Sequence, residues 1–353
     1  MRVAAAPSIR RAGMGIAIPF ATACLFGAAC FLFAVFAIAA PNYLTSGNLQ
    51  QLMRDFAEPG MVAIAMAITI LAGGIDLSIG AIFALANFAA LFLFRIHGLP
   101  LEITIPAVLA VGLLIGSVNG LLVAYLRLKP FLSTLAVLMI LRAGYDLTAE
   151  AYTTELAIAV HDTTAWRFLG SGVIVGVPVN TIALLVVGAA AQFFLTRLRP
   201  GLHIMAVGAS QKAARHAGIK VARSLFLAYL LSGALASLAG VFYAARQNSA
   251  GSDTGLGWEI TALTGVVVGG ISLAGGRGTV VNAMAGSAIV FLLVGGLLRL
   301  NLPGSLTSAT TGIVLILAVG LTIAVGSLRK SGGRSAWPDL WDAFDKGHGD
   351  ESG

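Results

Sequence analysis

The stretch AGGIDLSIGA, residues 72–81, joins two of the most apolar segments of the chain. It contains a glycine pair, Gly73 and Gly74. Two polar residues follow, Asp76 and Ser78. Glycine commonly ends a helix in left-handed geometry, and Asp or Ser caps the next helix by accepting from its free N–H groups. The stretch therefore predicts a sharp turn between two helices.

The composition on both sides of this turn is that of a membrane protein. Of the 353 residues, 58% are hydrophobic and only 10% are charged, and the mean hydropathy is +0.92. Soluble domains carry about 25% charged residues, and about 20 apolar residues cross a bilayer core as a helix. The regularly alternating segments of a membrane β-barrel are missing. We therefore predict an all-α polytopic membrane protein.

The apolar segments predict about ten membrane-spanning helices. They lie near residues 14–40, 59–75, 77–95, 102–125, 131–147, 173–196, 224–245, 258–272, 279–299 and 305–327. With the N-terminus inside, most of the 22 Lys and Arg residues fall on the inner side, as the positive-inside rule requires. The net charge of +7 therefore reports topology and not nucleic-acid binding. Both termini are predicted to be cytoplasmic.

Polar segments set the domain organisation. We predict a cytoplasmic N-terminal segment at residues 1–13, a transmembrane domain at 14–327 and a cytoplasmic tail at 328–353. The longest inner loop, residues 197–223, is strongly basic. Residues 148–172 are predicted to form an outer connection, and we expect this connection to contain a short amphipathic helix.

The span before the turn sets the expected depth of Asp76. We expect this span to begin at Pro59, after an outer connection at residues 41–58. From Pro59 to Asp76 a helix rises about 26 Å, which nearly crosses the bilayer core. Asp76 is therefore expected near the inner interface, where a carboxylate costs less than at the bilayer centre.

A second stretch of the chain repeats the turn. Residues 269–276 read GGISLAGG, against GGIDLSIG at residues 73–80, and five of the eight positions are identical. Glycine-interrupted apolar segments at corresponding places in two halves indicate the central site of a transporter. We therefore predict a weak internal repeat. The turn residues of its second copy are Gly269, Gly270, Gly275, Gly276 and Arg277.

The eighth predicted span is too short to cross the bilayer. Trp258 to Ser272 covers about 21 Å as a helix, and Glu259 stands at its outer start. A half-length helix is tolerated only where protein or a water-filled path surrounds it. Glu259, Asn87 and Asn119 are candidates for a solute path. The alternative is that they brace the bundle by hydrogen bonds, with Asp76 and Glu259 pairing with basic residues.

Four stretches of the chain together carry a family pattern. They are AGGIDLSIGA (72–81), GLLIGSVNGLLVAYLRLKPFLSTL (112–135), HIMAVGASQKAARHAGIKV (203–221) and WEITALTGVVVGGISLAGGRGTV (258–280). In this order they resemble the membrane permease subunits of bacterial ABC importers for monosaccharides, of the ribose and xylose type.

The resemblance implies a division of labour between subunits. Two permease copies would form the path through the bacterial inner membrane, a periplasmic binding protein would deliver the sugar, and a cytoplasmic ATP-binding subunit would drive transport. The chain has no G-x-x-x-x-G-K-[ST] phosphate-binding loop. We therefore expect a transport subunit without enzymatic activity, metal or cofactor, and ATP hydrolysis on the separate partner.

The inner loop at residues 197–223 is the predicted contact with the ATPase. Residues 211–217, QKAARHA, predict a short helix bounded by glycines. A basic loop resting on anionic lipid headgroups would explain the charge but not the small alanine face, which suits docking into a groove. The predicted coupling residues are Gly208, Lys212, Ala213, Ala214, Arg215 and Gly218.

Two other functions remain alternatives. An ion-coupled secondary transporter of a small polar solute would use Asp76 and Glu259 as ion sites, but such carriers place ionisable residues at mid-depth. An intramembrane enzyme is disfavoured because all five histidines lie outside the predicted spans, so no Ser-His or histidine-cluster arrangement falls within one. The predicted function is therefore an ATP-driven importer of a monosaccharide or related polyol.

Overall fold

The computed structural model describes residues 20–159, 161–300, 306, 309–318 and 320. The predicted segments at residues 1–13 and 328–353 lie outside the described residues, as does much of the predicted span at 305–327.

Helices make up most of the described chain. They are α1 (Phe20–Ala39), α2 (Ser46–Leu71), α3 (Ile79–Leu91), α4 (Leu101–Gly120), α5 (Pro130–Ala151), α6 (Thr153–Ile158), α7 (Thr164–Ser171), α8 (Val179–Arg197), α9 (Arg199–Ala209), α10 (Gln211–His216), α11 (Val221–Gln247), α12 (Trp258–Val268) and α13 (Val280–Arg299). Wider π-helical turns, Phe92–Ile96 and Leu121–Tyr125, extend α3 and α4. Strands β1 (Val173–Ile174) and β2 (Val177–Pro178) form an antiparallel hairpin.

Seven of the described helices are long and apolar enough to cross a membrane. They are α1, α5, α8, α11 and α13, together with α3 and α4 including their π-helical turns. The predicted all-α polytopic membrane protein is therefore confirmed. Helices α2 and α12 and a helical segment at Ala309–Ala318 match the other predicted spans, but they are shorter or more charged.

The second span begins much earlier than the sequence predicted. Helix α2 starts at Ser46, where Thr45 caps it by accepting from the N–H of Asn48, and it continues through Pro59. The prediction that residues 41–58 form an outer connection was therefore wrong. Proline and nearby charges normally disfavour the interior of a membrane helix, but here the charges find partners on neighbouring helices.

Helices α2 and α11 lie at the centre of the bundle. All residues of α2 from Gly60 to Leu71 are buried, and α11 packs against α2, α3 and α4. Close approach of α4 and α11 depends on glycines: a Cβ on Gly112 or Gly233 would collide with the main chain of the other helix. Small residues allow such contacts where lipid offers no hydrophobic driving force.

The loop between α11 and α12 folds back into the bundle. Side chains of α3 and α5 hold its carbonyls, and the pairs are Asn87 with Ser249 (3.1 Å), Arg142 with Thr254 (2.6 Å) and Tyr145 with Gly251 (2.7 Å). Further along this loop, Gly255 lies beside Gly80 at the start of α3. Helix α12 begins only after this loop and has 11 residues. The predicted half-length helix is therefore confirmed.

The amphipathic helix predicted within residues 148–172 is α7. Thr163 caps it by accepting from the N–H of Trp166 at 3.2 Å. The indole of Trp166 is buried, stacks on Phe94 with ring centroids 4.3 Å apart and donates to Asn248 at 2.8 Å. These contacts fasten α7 to the ends of α3 and α11, opposite the end of the bundle that holds the Asp76 turn.

Candidate functional site

The turn after α2 uses its two glycines differently. Gly73 has a positive φ of 88°, which is the predicted left-handed geometry. Gly74 does not share this conformation, so that part of the prediction was wrong. Its small size is needed instead because the hydroxyl of Tyr229 occupies the place of a Cβ. The same hydroxyl donates to the carbonyl of Ile75 at 3.3 Å.

Asp76 is fully buried, and neutral donors hold its carboxylate. Oδ1 accepts from the N–H and hydroxyl of Ser78 at 3.0 and 2.6 Å, and Oδ2 accepts from the hydroxyl of Ser232 on α11 at 2.9 Å. Asn119 on α4 donates to the Ser78 hydroxyl at 2.7 Å. The predicted side-chain cap of α3 was therefore wrong, because Ser78 makes no capping bond and Asp76 accepts the N–H of Ser78, which precedes the helix. The carboxylate instead joins the start of α3 to α4 and α11.

Asp76 has no cationic partner among the described residues. The described residues therefore do not supply the basic partner that the bracing alternative expects for Asp76. Hydrogen bonds from neutral groups compensate its burial instead. On α5, the hydroxyl of Thr134 accepts from the N–H of Leu77 at 3.1 Å, so four helices converge on this turn.

The second copy of the repeat lies directly beside the first. The N–H of Gly276 donates to the carbonyl of Leu71, the last residue of α2, at 3.0 Å. Gly270, Gly275 and Gly276 all have positive φ, of 77°, 89° and 68°. Such conformations suit glycine because other residues adopt them at a cost. The two predicted turns therefore meet at one end of the bundle.

Gly208, near the end of α9, lies between the two turns. A Cβ on Gly208 would collide with the carbonyl of Leu71 and would lie 2.7 Å from the nitrogen of Gly276. A Cβ on Gly275 would lie 2.9 Å from the Cα of Gly73. We call Gly73, Gly208, Gly275 and Gly276 the glycine junction. It brings together residues that the sequence placed in three separate motifs.

Helix α10 follows the glycine junction within a few residues. Ser210 caps it by accepting from the N–H of Ala213 at 3.2 Å. Lys212, Ala213 and Arg215 are exposed, in agreement with the predicted short helix. Ala214 is only 3% exposed and belongs to the apolar core. The prediction that it contributes to a docking face was therefore wrong, because it anchors the helix to the bundle.

The remaining predicted turn residues lie around the junction. Gly218 ends α10 with a positive φ of 78°. A Cβ on Gly269 would collide with the carbonyl of Asn282, so it permits close packing of α12 on α13. Arg277 is exposed, and its carbonyl accepts from the N–H of Ser272 at 3.0 Å.

The three candidate path residues do not form one cluster. Asn119 belongs to the Asp76 turn and Asn87 holds the loop before α12. Glu259 is 9% exposed at the start of α12, beside Gly80, and its Oε2 has no hydrogen-bond partner in the described part of the chain. It forms no ion pair there either, since Arg142 pairs with Asp146 at 3.3 Å. The two asparagines therefore make hydrogen bonds of the kind that the bracing alternative expects, whereas Glu259 makes no such contact through Oε2 in the described part of the chain.

A charged cluster in the N-terminal half of α2 was not predicted. Arg246 of α11 contacts Glu58 (Nε–Oε1, 3.0 Å) and Asp55 (Nη1–Oδ1, 2.8 Å). Glu58 is fully buried and also accepts from Asn180 of α8 at 3.1 Å. The signal was available, because two carboxylates three positions apart share one helix face and charges in a bundle require partners.

Comparison with known proteins identifies a transport family. Residues 48–319 match the family described as branched-chain amino acid transport system / permease component. The chain is 34% identical over 289 residues to the ribose import permease protein RbsC of Escherichia coli K12, covering 82% of this chain and 89% of that protein. No solved structure matches the chain.

Other relatives carry different solute names. The fructose import permease protein FruF of Bifidobacterium longum is 33% identical over 272 residues, covering 77% of this chain and 76% of that protein. The autoinducer 2 import system permease protein LsrD of Photorhabdus laumondii is 31% identical over 291 residues, covering 81% and 86%.

These relationships decide between the predicted alternatives. They confirm the resemblance to permease subunits of ABC sugar importers, and they favour a transport subunit over an intramembrane enzyme or an ion-coupled carrier. With its apolar helices, the chain is a multi-pass inner-membrane protein. The matched region contains both turns, the glycine junction and α10, and the chain belongs to this family of transport-system permease components.

Proposed function

We propose that the chain is the membrane-spanning subunit of an ATP-driven importer and forms the path of a monosaccharide or related polyol. Relatives named for ribose and fructose import support this solute class. The proposed partners are a cytoplasmic ATP-binding subunit, a periplasmic sugar-binding protein and a second copy of this chain. A neutral solute needs hydrogen-bonding groups and no countercharge, which is consistent with Asp76 and Glu58 being engaged by partners inside the bundle.

The observation that carries the proposal is the contact of Gly208 with both turns. Helix α10 exposes Lys212 and Arg215 to a partner, while Gly208 touches the end of α2 and the turn before α13. No side chain separates these main-chain segments. Because protein interiors are close-packed and resist compression, a displacement of α10 passes directly to the ends of α2 and α12.

The Asp76 turn determines which helices move together. Its hydrogen bonds fix the start of α3 to α4 and α11. We propose that these helices shift as a unit when the glycine junction is displaced, which is the rigid-body mode common to alternating-access transporters. The flexible glycines on either side then provide the hinge.

The coupling proposal is tested by changing an exposed alanine of α10. Ala213→Glu adds a charged side chain to the docking face and is expected to abolish co-purification of the ATPase and ATP-driven uptake in proteoliposomes. Ala151→Glu makes the same change at an exposed site at the opposite end of the bundle and is expected to retain both activities. Normal ATPase binding by Ala213→Glu would refute α10 as the docking helix.

The energy source requires a separate measurement. Uptake is expected to stop when ATP is depleted and to continue when the proton gradient is dissipated. The reverse pattern would establish the ion-coupled carrier and contradict the importer. This result does not depend on where the ATPase docks.

We further propose ten membrane crossings with both termini cytoplasmic, with α2, α12 and the segment Ala309–Ala318 completing the seven long spans. In a background without Cys24 and Cys30, a cysteine at Lys212 is expected to react only with cytoplasmic reagent. A cysteine at Val175, which is 97% exposed on the β-hairpin, is expected to react from outside. Labelling of both positions from one side would contradict this topology.

A further inference from the structure

A basic cavity lies at the inner end of the bundle, between α10 and the connection from α4 to α5. Its volume is about 800 Å³. Its basic lining residues are Arg127, Arg215, Lys220 and Arg223, and none of the described residues that line it is acidic. Its apolar lining includes Val123, Ala124, Val221 and Leu225, all of which are buried. The cavity therefore combines an apolar wall with four positive charges.

No acidic side chain among the described residues pairs with these four charges. In the part of the chain that the structure describes, every ion pair lies elsewhere, on Arg142, Arg167 and Arg246. Like charges around one cavity repel each other, and a cleft lined by one sign of charge concentrates ions of the opposite sign. The arrangement is therefore complementary to an anion.

The residues around the opening indicate its position relative to the membrane. Tyr125 and Leu128 line the cavity and are 52% and 47% exposed. Aromatic and aliphatic side chains beside Lys and Arg are typical of the inner membrane–water interface. Arg127, between them, has a positive φ of 57°. A non-glycine residue held in this conformation marks a site where the surrounding structure imposes a position.

We propose that this cavity binds a phosphate group through Arg127, Arg215, Lys220 and Arg223. Basic pockets between membrane helices on the cytoplasmic side suit anionic headgroups, and the fork of Arg binds phosphate oxygens in pairs. The phosphate belongs either to a lipid headgroup or to a small soluble anion. Arg215 lies on α10 and Arg127 lies on the α4–α5 connection. A phosphate bound to both residues would therefore link α10 to that connection.

The test uses the purified full-length chain in nanodiscs of phosphatidylcholine containing phosphatidylglycerol. Phosphatidylglycerol retained per chain is counted by native mass spectrometry as its fraction is varied. The double variant Arg127→Gln/Arg223→Gln is expected to bind roughly 25-fold more weakly, from roughly fivefold per basic residue. The matched control is Lys129→Gln/Arg199→Gln, which removes two inner charges that do not line the cavity and is expected to bind normally.

A second arm separates the two sources of phosphate. Inorganic phosphate is titrated into the detergent-solubilised chain alone to measure its binding. It is also titrated into the chain mixed with phosphatidylglycerol to test whether it displaces the lipid. Lipid retention that inorganic phosphate does not displace identifies a headgroup, and displacement identifies a small soluble anion; both support the site. If the double variant expresses poorly, Lys220→Gln alone is expected to weaken binding roughly fivefold.

Two results would overturn the inference. One is equal binding of phosphatidylglycerol and phosphate by the cavity variant and its control. The other is unchanged anion binding with loss of ATPase co-purification, which would assign the four basic residues to the surface that contacts the ATPase.

Discussion

Two buried carboxylates, one midway along α2 and one in the turn that follows it, have opposite kinds of partner. Midway along α2, Glu58 is paired with Arg246 and accepts from Asn180. Just beyond the C-terminal end of α2, Asp76 accepts from the hydroxyls of Ser78 and Ser232. Both carboxylates are fully buried, so the difference lies in their partners and not in their depth within the protein.

The difference indicates where the bundle is fixed and where it can move. An ion pair inside a bundle is costly to break, because separation leaves two unpaired charges. Hydrogen bonds from hydroxyl groups are weaker and can be exchanged, and the adjacent glycine junction presents main chain against main chain. We infer that the middle of α2 is fixed to α11 and α8 and that its C-terminal end transmits motion.

The largest expected effect on stability comes from breaking the ion pair between Glu58 and Arg246. Arg246→Ala leaves Glu58 buried without a cation and is expected to cost about 3–5 kcal/mol of stability. Thermal unfolding in detergent, followed by size-exclusion chromatography, measures the loss. The double variant Glu58→Gln/Arg246→Met keeps the volume without the charges and is expected to recover most of it. If Arg246→Ala were as stable as the wild type, the ion pair with Glu58 would not hold α2 and α11 together.

An intermediate effect is expected at the glycine junction. Gly208→Ala is expected to cost about 3 kcal/mol, at the upper end of the range for overpacking, because the obstructing atom is the main-chain carbonyl of Leu71. Uptake should fall further than stability. The control is Gly144→Ala in α5, where nothing lies within 4 Å of the added methyl group; replacing a helical glycine there is expected to gain about 0.5–1 kcal/mol. Wild-type uptake by Gly208→Ala would contradict a role in transmission.

The smallest effect is expected in the hydrogen bonds of Asp76. Ser232→Ala removes one donor to the carboxylate and is expected to cost about 1.5 kcal/mol. Ser237→Ala, on the same helix, removes a hydroxyl that donates only to the carbonyl of Ala234 and is expected to leave stability nearly unchanged. The difference between the thermal unfolding midpoints of Ser232→Ala and Ser237→Ala measures how much the hydrogen bond from Ser232 to Asp76 contributes to stability. Equal midpoints would mean that the Asp76 carboxylate does not hold α11.

Local sequence predicted the features whose causes are local. The membrane class followed from composition, the turns at Gly73 and Gly276 from glycine, and α10 from a short polar helix between glycines. The half-length α12 followed from the length of its apolar segment. Each of these depends on residues close together in the chain, whose preferences can be summed without knowing the neighbours in space.

Errors occurred where contacts distant in sequence outweighed local preference. Pro59 and the charges beside it predicted a helix boundary, yet α2 continues because Arg246, almost 190 residues away, compensates those charges. Ala214 was expected on the outer surface of α10, but it packs into the core.

The sequence alone determined that this chain is a helical membrane protein with two related glycine turns and a short basic helix. Only the tertiary structure placed Gly73, Gly208 and Gly276 in contact and gave Asp76 and Glu58 different partners. The physical reason is that burial makes an unpartnered polar group costly. Which partner satisfies it depends on helix packing, and that packing is decided by the bundle as a whole.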